Sequence, residues 1–182
     1  MKRFLMPLRR GVLVAGVLLG VGAAVSAPRR EDAINLRIAR EQFNLVMTPE
    51  AVTGADFQVS RAPGELRGRT YLGSFNLALK PGEVTGALGG ASVNLKVTKE
   101  GDALVAKGGF GGRPVDLKLS PGELKVYVRD CTYRLKAQED SRFYVGKRSC
   151  DVASTPPSEV WLPDEFQAAS AEEKAVILLL AL

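Results

Sequence analysis

The chain has no histidine and only two cysteines among its 182 residues. Histidine is the commonest general base, the usual partner of a nucleophilic serine or cysteine, and the commonest protein ligand of transition metals. Its absence excludes the usual serine–histidine and cysteine–histidine mechanisms and leaves few ligands for zinc. The sequence also has no P-loop, no GxSxG motif and no EF-hand loop. It therefore predicts a protein that is not an enzyme and that needs no cofactor or metal.

Carboxylates are the remaining catalytic groups, because a glycosidase needs only two of them. Most acidic residues in the middle of the chain lie in predicted turns, where such side chains form local hydrogen bonds. Asp116 lies on the solvent-facing side of a predicted strand. Nothing in their spacing brings two carboxylates together across a cleft, so a carboxylate-dependent glycan hydrolase is only an alternative. The turn residues concerned are Glu65, Glu83, Asp102, Glu123 and Asp140.

The first 27 residues have the pattern of an export signal. A basic start precedes an uncharged apolar stretch at 11–25, and small residues at positions 25 and 27 predict cleavage after Ala27. The alternative is an uncleaved membrane anchor, but the stretch is short for a bilayer span and rich in glycine and alanine. We expect a periplasmic or extracellular protein that is not an integral membrane protein once residues 1–27 are removed.

Removal of this segment changes the charge of the chain. The whole sequence has 25 basic and 20 acidic residues, a net charge of +5. The first 27 residues hold four basic and no acidic residues, so the other 155 carry 21 basic and 20 acidic residues, a net charge of +1. The alkaline isoelectric point is therefore mostly a property of the export signal, and we expect no nucleic-acid partner.

Both cysteines lie in one β-rich stretch, and disulfides persist in exported proteins. A turn centred on Asp140 and Ser141 would place Cys131 opposite Cys150 on adjacent strands, at the separation that a disulfide requires. We therefore expect Cys131 and Cys150 to be bonded to each other. The alternative is two separately buried thiols.

Five short segments repeat one alternation of apolar and polar residues. In VNLKV, at 93–97, the valines and the leucine share one face, while Asn94 and Lys96 share the other. This pattern is typical of an antiparallel sheet with one buried side and one solvent-facing side. Gly82 and Gly122 follow prolines in the turns, where they suit the positive φ of a type II turn. The other four segments are 43–47, 75–79, 115–119 and 133–137.

Repetition of one hairpin predicts an all-β fold, an antiparallel meander of roughly eight to ten strands from about residue 33 to 150. Because the connections are uniformly local, we expect a closed or partly open barrel rather than a sandwich. The opening segment 34–47 fits either strands or a helix. The glycine-rich connectors 86–92 and 108–114 precede strands, not helices, so they predict turns or bulges rather than phosphate binding.

The C-terminal part of the chain has a different pattern. Ser170 and Glu173 form a capping box at the start of an apolar helical run. We expect this helix to plug or cover an open end of the sheet, with docking to a partner or a membrane surface as the alternative. The predicted organisation is a signal peptide, a β-meander domain, a Pro-rich connector and a helix packed on the domain, at 1–27, 28–152, 153–169 and 170–182.

The aromatic residues supply one candidate binding surface, and the apolar interior of a barrel is another, for a small hydrophobic ligand. Tyr127, Arg129 and Tyr144 fall in or near the disulfide-bounded hairpin, where tyrosine and arginine side chains could stack on a sugar or a peptide. The alternative is that these aromatics only stabilise the sheet across neighbouring strands. Trp161 is expected to anchor the connector on the sheet.

These observations favour an exported, non-enzymatic β-sheet protein with a binding or structural role in the cell envelope. Its expected partner is a small apolar ligand, a glycan or another envelope protein. A small outer-membrane barrel is an alternative, but it would need strands of about nine to eleven residues with an apolar outer band. The alternating segments are mostly shorter, and their polar side carries lysine, asparagine, aspartate and arginine.

Overall fold

In the computed structural model, which describes residues 32–139 and 141–182, the chain forms one antiparallel sheet followed by two short helices. The predicted signal peptide and Asp140 lie outside these residues. The helices are α1 (Asp164–Ala168) and α2 (Ala171–Ala181). The strands of the described chain are β1 (Ala33–Ile38), β2 (Glu41–Met47), β3 (Ala51–Gly54), β4 (Phe57–Ala62), β5 (Glu65–Thr70), β6 (Gly73–Lys80), β7 (Glu83–Leu88), β8 (Ala91–Glu100), β9 (Ala103–Phe110), β10 (Arg113–Leu119), β11 (Glu123–Val128), β12 (Cys131–Ala137), β13 (Phe143–Arg148) and β14 (Ser158–Trp161).

Each strand pairs with the next one along the chain, and β14 pairs with β1, so the sheet closes into a barrel. In the closing pair Leu36 lies opposite Val160. The predicted antiparallel meander is confirmed, and its strands number fourteen in the described chain rather than roughly eight to ten. The opening segment 34–47 belongs to two strands, β1 and β2.

Alternation places apolar side chains inside the barrel and polar side chains outside. Val93, Leu95 and Val97 are at most 4% exposed, whereas Asn94 and Lys96 between them are exposed. The same pattern holds in β10, where the apolar residues at 115, 117 and 119 are buried. The predicted separation into one dry and one wet side is confirmed.

Glycines on alternate strands let the sheet coil tightly. A Cβ atom on any of four strand glycines would lie 2.0 or 2.1 Å from a carbonyl oxygen of the preceding strand. Gly86 and Gly108, from the predicted glycine-rich connectors, also have φ values of 146° and 144°. The close approach therefore requires glycine, and it bends the sheet where the barrel must close. The four positions are Gly68, Gly86, Gly108 and Gly146.

The turns differ at the two ends of the barrel. At one end, here the proline end, Gly82 has φ 80° as predicted for a type II turn. Gly122 is not among the glycines with positive φ; the expectation for this residue was wrong. Ser120 instead closes that turn, with its backbone amide 2.8 Å from the carbonyl oxygen of Glu123 and its hydroxyl bonded to the same oxygen.

The opposite end, here the diglycine end, has tight two-residue turns. Gly89–Gly90 and Gly111–Gly112 have positive φ at both residues, the geometry of type I′ hairpin turns. Arg129 and Asp130 adopt the same conformation, with φ 50° and 63°, although neither is a glycine. The side chains of this third turn therefore project at the rim of the barrel.

Helix α2 enters the barrel at the proline end and lies inside it; the sequence predicts a helix that plugs or covers an open end. All residues from Ala175 to Leu182 are buried, and the helix contacts β6, β8 and β9. A barrel of fourteen strands encloses more space than inward-facing side chains fill, so the helix supplies the missing core. A helix that is apolar on all sides is stable only when it is surrounded.

Three polar contacts hold the start of α2 at the proline end. The Ser170 hydroxyl accepts a hydrogen bond from the backbone amide of Glu173, as the capping box predicts. The Glu173 carboxylate does not complete the box and lies 2.5 Å from Nε of Arg61 on β4. Glu172 accepts a hydrogen bond of 2.8 Å from the backbone amide of Gly82. These bonds fix the depth at which the helix enters the barrel.

Cys131 and Cys150 form a disulfide, with Cα atoms 5.5 Å apart. In the ladder between β12 and β13, Tyr133 lies opposite Arg148. Continuing this register by two residues brings the cysteines face to face, which is the pairing that the sequence predicts.

The predicted connector 153–169 contains regular structure. Residues Ser158–Trp161 form β14, and α1 follows after Pro163. Trp161 packs near Phe143, with ring centroids 6.3 Å apart, and the Arg142 guanidinium lies 5.1 Å from the centroid of the Trp161 ring. Trp161 therefore holds the segment onto β13.

Candidate functional site

Because α2 fills the interior, the cavities lie at the ends of the barrel. The one with the most apolar walls lies at the diglycine end and has a volume of about 380 Å³. We call it the mouth cavity. Ala181 and Leu182, at the end of α2, form part of its wall. Its other lining residues are Leu36, Ile38, Glu41, Phe43, Leu45, Ala55, Asp56, Phe57, Tyr71, Arg129, Tyr133 and Arg148.

Inward-facing side chains of the first strands form the apolar wall of the mouth cavity. Leu36 and Leu45 are inward-facing residues of β1 and β2, and Phe57 begins β4. All three are at most 4% exposed, whereas Phe43 is 36% exposed. The apolar wall thus extends from the dry core toward the solvent, where Glu41 and Asp56 also line the cavity.

Two arginines supply the positive charge of the mouth cavity. Arg129 lies at the turn between β11 and β12, where its guanidinium donates a hydrogen bond to the Tyr71 hydroxyl and lies 4.8 Å from the centroid of the Tyr71 ring. Arg148 is held by Asp151, whose carboxylate oxygen lies 2.8 Å from Nε and 2.7 Å from Nη2. Arg129 therefore has only neutral partners in the described chain, whereas Arg148 is largely neutralised.

The Asp151 carboxylate is 2% exposed. Burial opposes its ionisation, but hydrogen bonds from the backbone amide and guanidinium of Arg148 outweigh burial and lower the carboxyl pKa. The pair is therefore charged in the folded protein at neutral pH.

Tyr133 connects the cavity to the end of α2. Its hydroxyl donates a 3.0 Å hydrogen bond to the backbone oxygen of Leu182 in a buried setting. The Arg148 guanidinium lies 5.8 Å from the centroid of the Tyr133 ring. Burial raises the pKa of Tyr133, and the positive charge of Arg148 offsets only part of that rise. Tyr133 is thus a neutral donor that positions the helix end.

A second cavity of about 330 Å³ lies at the same end and is lined by Leu72, Leu88, Phe110 and Leu179 among others. Arg129 lines both cavities. A third cavity, of about 420 Å³, lies at the proline end beside Arg61 and Glu173, whose charges are already paired with each other. The mouth cavity combines an apolar wall with Arg129, which has no carboxylate partner in the described chain, and its walls are more apolar than those of the second cavity that Arg129 also lines.

The structure does not bring the three predicted binding residues together. Tyr127 lies on the outer face of β11, with its hydroxyl 3.4 Å from an oxygen of Asp130. Arg129 lies at the rim of the mouth cavity. Tyr144 is buried, and its hydroxyl donates a 2.9 Å hydrogen bond to the Ser120 carbonyl at the proline end. Only Arg129 belongs to the candidate site.

The candidate carboxylates are also dispersed. Glu65 pairs with Arg67, and Asp116 lies 3.6 Å from Lys107 on the barrel exterior. Glu83 and Glu123 begin strands after turns, Asp102 lies in a turn, and Asp140 lies outside the described residues. Within 32–139 and 141–182 there is no group of three or more acidic or cysteine side chains that could hold a metal ion.

Sequence reasoning missed Tyr71, Tyr133 and Arg148 as partners in one site. Tyr133 and Arg148 are partners in the ladder between β12 and β13, but Tyr71 lies in the distant turn between β5 and β6. A usable signal was present, because every member lies within a few residues of a turn at the same end. Grouping residues by the end of the barrel at which they lie places all three together.

Comparison of the chain with protein-family models, with curated proteins and with solved structures finds no match. Among the residues that the structure describes, no helix is both long enough and apolar enough to cross a bilayer.

Proposed function

We propose that this protein is a non-enzymatic, exported binding protein of the cell envelope that holds a small amphipathic anion in the mouth cavity. The observation that carries the proposal is the juxtaposition of an apolar wall with Arg129, a guanidinium that has no carboxylate partner in the described chain. An apolar tail would lie along the Leu36–Leu45–Phe57 wall. A carboxylate, sulfonate or phosphate group would meet Arg129 at the rim.

The position of α2 supports binding at the mouth rather than deep inside. Residues from Ala175 to Leu182 take the space that a central ligand would need. A ligand therefore meets the end of the helix, at Ala181 and Leu182, and stays accessible to solvent on its other side.

The barrel exterior favours a water-facing protein over the alternative of an outer-membrane barrel. A membrane barrel carries an apolar outer band. Here the outward-facing residues of β8 and β10 include Asn94, Lys96, Asp116 and Lys118, all of which are exposed. The disulfide between Cys131 and Cys150 is consistent with export to an oxidising compartment.

The binding proposal is tested with 1-anilinonaphthalene-8-sulfonate, a fluorescent apolar anion. Ala55 is exposed and lines the cavity, so Ala55→Trp fills the site from the rim without changing the core. We expect this variant to bind the probe at least about tenfold more weakly, which corresponds to about 1.4 kcal/mol. Ala78→Trp, exposed on the outside of β6, is the matched control and should change binding less than about twofold.

Arg129→Gln tests the charge requirement. It should weaken binding of the sulfonate probe several-fold and leave binding of an uncharged naphthalene analogue unchanged. Equal binding by the wild type, Ala55→Trp and Ala78→Trp would refute the mouth as the binding site. N-terminal sequencing of the protein from its native cells tests export, and a chain that begins at Pro28 is the expected result.

A further inference from the structure

Four cations form an uninterrupted row across the outside of the barrel. Lys118 on β10 lies opposite Lys125 on β11, Lys125 lies opposite Arg134 on β12, and Arg134 lies opposite Lys147 on β13. All four side chains are exposed. Adjacent strands are about 4.8 Å apart, so the row extends about 14 Å around the barrel. We call it the basic row.

Outward-facing cations elsewhere have different neighbours. Lys96 lies between Glu83 and Lys107, and Lys107 pairs with Asp116. Arg37 lies opposite Glu159, with which it forms an ion pair. Arg67 lies between Ser60 on β4 and Asn76 on β6 and forms an ion pair with Glu65 on its own strand. In the described strands the basic row is the one place where more than two cations follow one another across the sheet.

No carboxylate in the described residues forms an ion pair with a member of the basic row. Asp116 is on β10 two residues before Lys118, but its carboxylate lies 3.6 Å from Lys107. Glu123 is on β11 two residues before Lys125 and lies opposite Lys136, which adds a further cation beside the row. The surface therefore keeps a net positive charge.

Such an arrangement opposes folding, because like charges directly opposite one another destabilise a sheet. Substitution of any member by serine or threonine would relieve the repulsion without changing the buried side of the strand. The disulfide between Cys131 and Cys150 moreover closes the ladder that holds Arg134 opposite Lys147, so strand slippage cannot separate them. The row destabilises the sheet and is nevertheless held in place, which indicates a ligand that neutralises its charges.

We propose that the basic row binds a linear anionic polysaccharide. The row is a continuous series of cations on long side chains, on the outer face of the barrel. A polymer with anionic groups spaced along an extended backbone can follow the curve of the barrel from β10 to β13. This surface is separate from the mouth cavity, so the inference is independent of the proposed function.

Other polyanions fit this surface less well. Binding of single-stranded nucleic acid usually adds aromatic side chains on which bases stack. Lys118, Lys125 and Arg134 are flanked along their strands by buried residues, and Lys147 by half-buried ones. Among the outward-facing residues two positions from a member of the row, Tyr127 is the one aromatic residue. Membrane docking adds exposed apolar anchors, but none of the exposed large apolar residues Phe43, Tyr71 and Val152 lies on β10 to β13.

The test uses heparin as the anionic polysaccharide and titration calorimetry on the intact protein. Lys125→Gln with Arg134→Gln removes two charges from the basic row. The matched control, Arg67→Gln with Arg69→Gln, removes two exposed charges from β5 and produces the same net charge. We expect the first double variant to bind heparin at least about tenfold more weakly and to reduce the slope of log Kd against log salt by about 1.5 to 2.

The control double variant should stay within about twofold of the wild type. Thermal unfolding distinguishes a binding role from a structural one, since loss of two repelling charges should leave the row variant at least as stable as the wild type. The proposal is overturned if both double variants bind heparin equally, or if the wild type does not bind it. Tighter binding of single-stranded DNA or phosphatidylglycerol vesicles at the same salt concentration would also overturn it.

Discussion

Nε of Arg61 on β4 lies 2.5 Å from Oε1 of Glu173 in the first turn of α2. The Arg61 side chain is 9% exposed, and its Nη1 also contacts Glu165, at 2.7 Å, and the Thr48 carbonyl. One arginine on the barrel wall thus joins both C-terminal helices to a turn at the proline end. This cluster retains the helix that completes the core.

Substitution of Arg61 by methionine should lower the free energy of unfolding by about 2 to 4 kcal/mol. The variant keeps most of the side-chain volume but leaves the carboxylates of Glu165 and Glu173 without their cation in a half-buried site. Urea denaturation measures the effect. Arg69→Met, on the exposed side of β5, is the control and should change stability by less than about 0.5 kcal/mol. Equal effects of the two substitutions would show that the cluster does not retain α2.

Neighbouring glycines on β9 should respond in opposite ways to alanine. A Cβ atom at Gly108 would lie 2.1 Å from the Asn94 carbonyl oxygen, and φ is 144°, so Gly108→Ala should cost about 3 kcal/mol or more, or prevent folding. At Gly109 a Cβ atom meets nothing within 4 Å. Gly109→Ala should be neutral or slightly stabilising, because alanine restricts the unfolded chain. Thermal melting of both variants checks the prediction, and a large loss at Gly109 would contradict it.

Removal of the disulfide should cost about 3 kcal/mol, the loop-closure value for cysteines 19 residues apart. Cys131→Ser with Cys150→Ser is compared with the wild type by urea denaturation, with and without reductant. Reductant should lower the stability of the wild type to that of the variant and leave the variant unchanged. If the oxidised wild type is no more stable than the variant, the bond does not contribute to stability.

Asp151 should make stability depend on pH in the acid range. Hydrogen bonds from Arg148 lower the pKa of the Asp151 carboxyl below its ordinary value of 3.8. The ionised carboxylate therefore stabilises the fold fully above pH 3.8, and this stabilisation is lost as the pH falls through the lowered pKa. Asp151→Asn should therefore be less stable than the wild type by about 1 to 2 kcal/mol at neutral pH, and the two curves should converge in strong acid.

Urea denaturation across the acid range measures this difference. Asp116→Asn is the control, because Asp116 is 56% exposed and its pair with Lys107 is a surface ion pair worth little. A constant difference between Asp151→Asn and the wild type at every pH would show that the carboxylate charge is not the cause.

The disulfide and the hairpin register were predictable because they depend on short stretches of chain. Tyr133 and Arg148 become opposite neighbours through one turn, and the same turn aligns Cys131 with Cys150. The mouth cavity was not predictable in this way. Its wall combines Leu36 from the first strand with Leu182 at the end of α2, and no local pattern connects residues so far apart.

The sequence by itself determined the hairpins, their buried and exposed sides, the glycines of the tight turns and the capped C-terminal helix. Each follows from the chemistry of a few consecutive residues, namely side-chain alternation, turn conformation and the cap of a helix. Only the tertiary structure decided the number of strands, the pairing of β1 with β14 and the position of α2. These depend on the width of the closed barrel, because fourteen strands leave an interior that the chain must fill, and the apolar run after Lys174 is the segment that fills it.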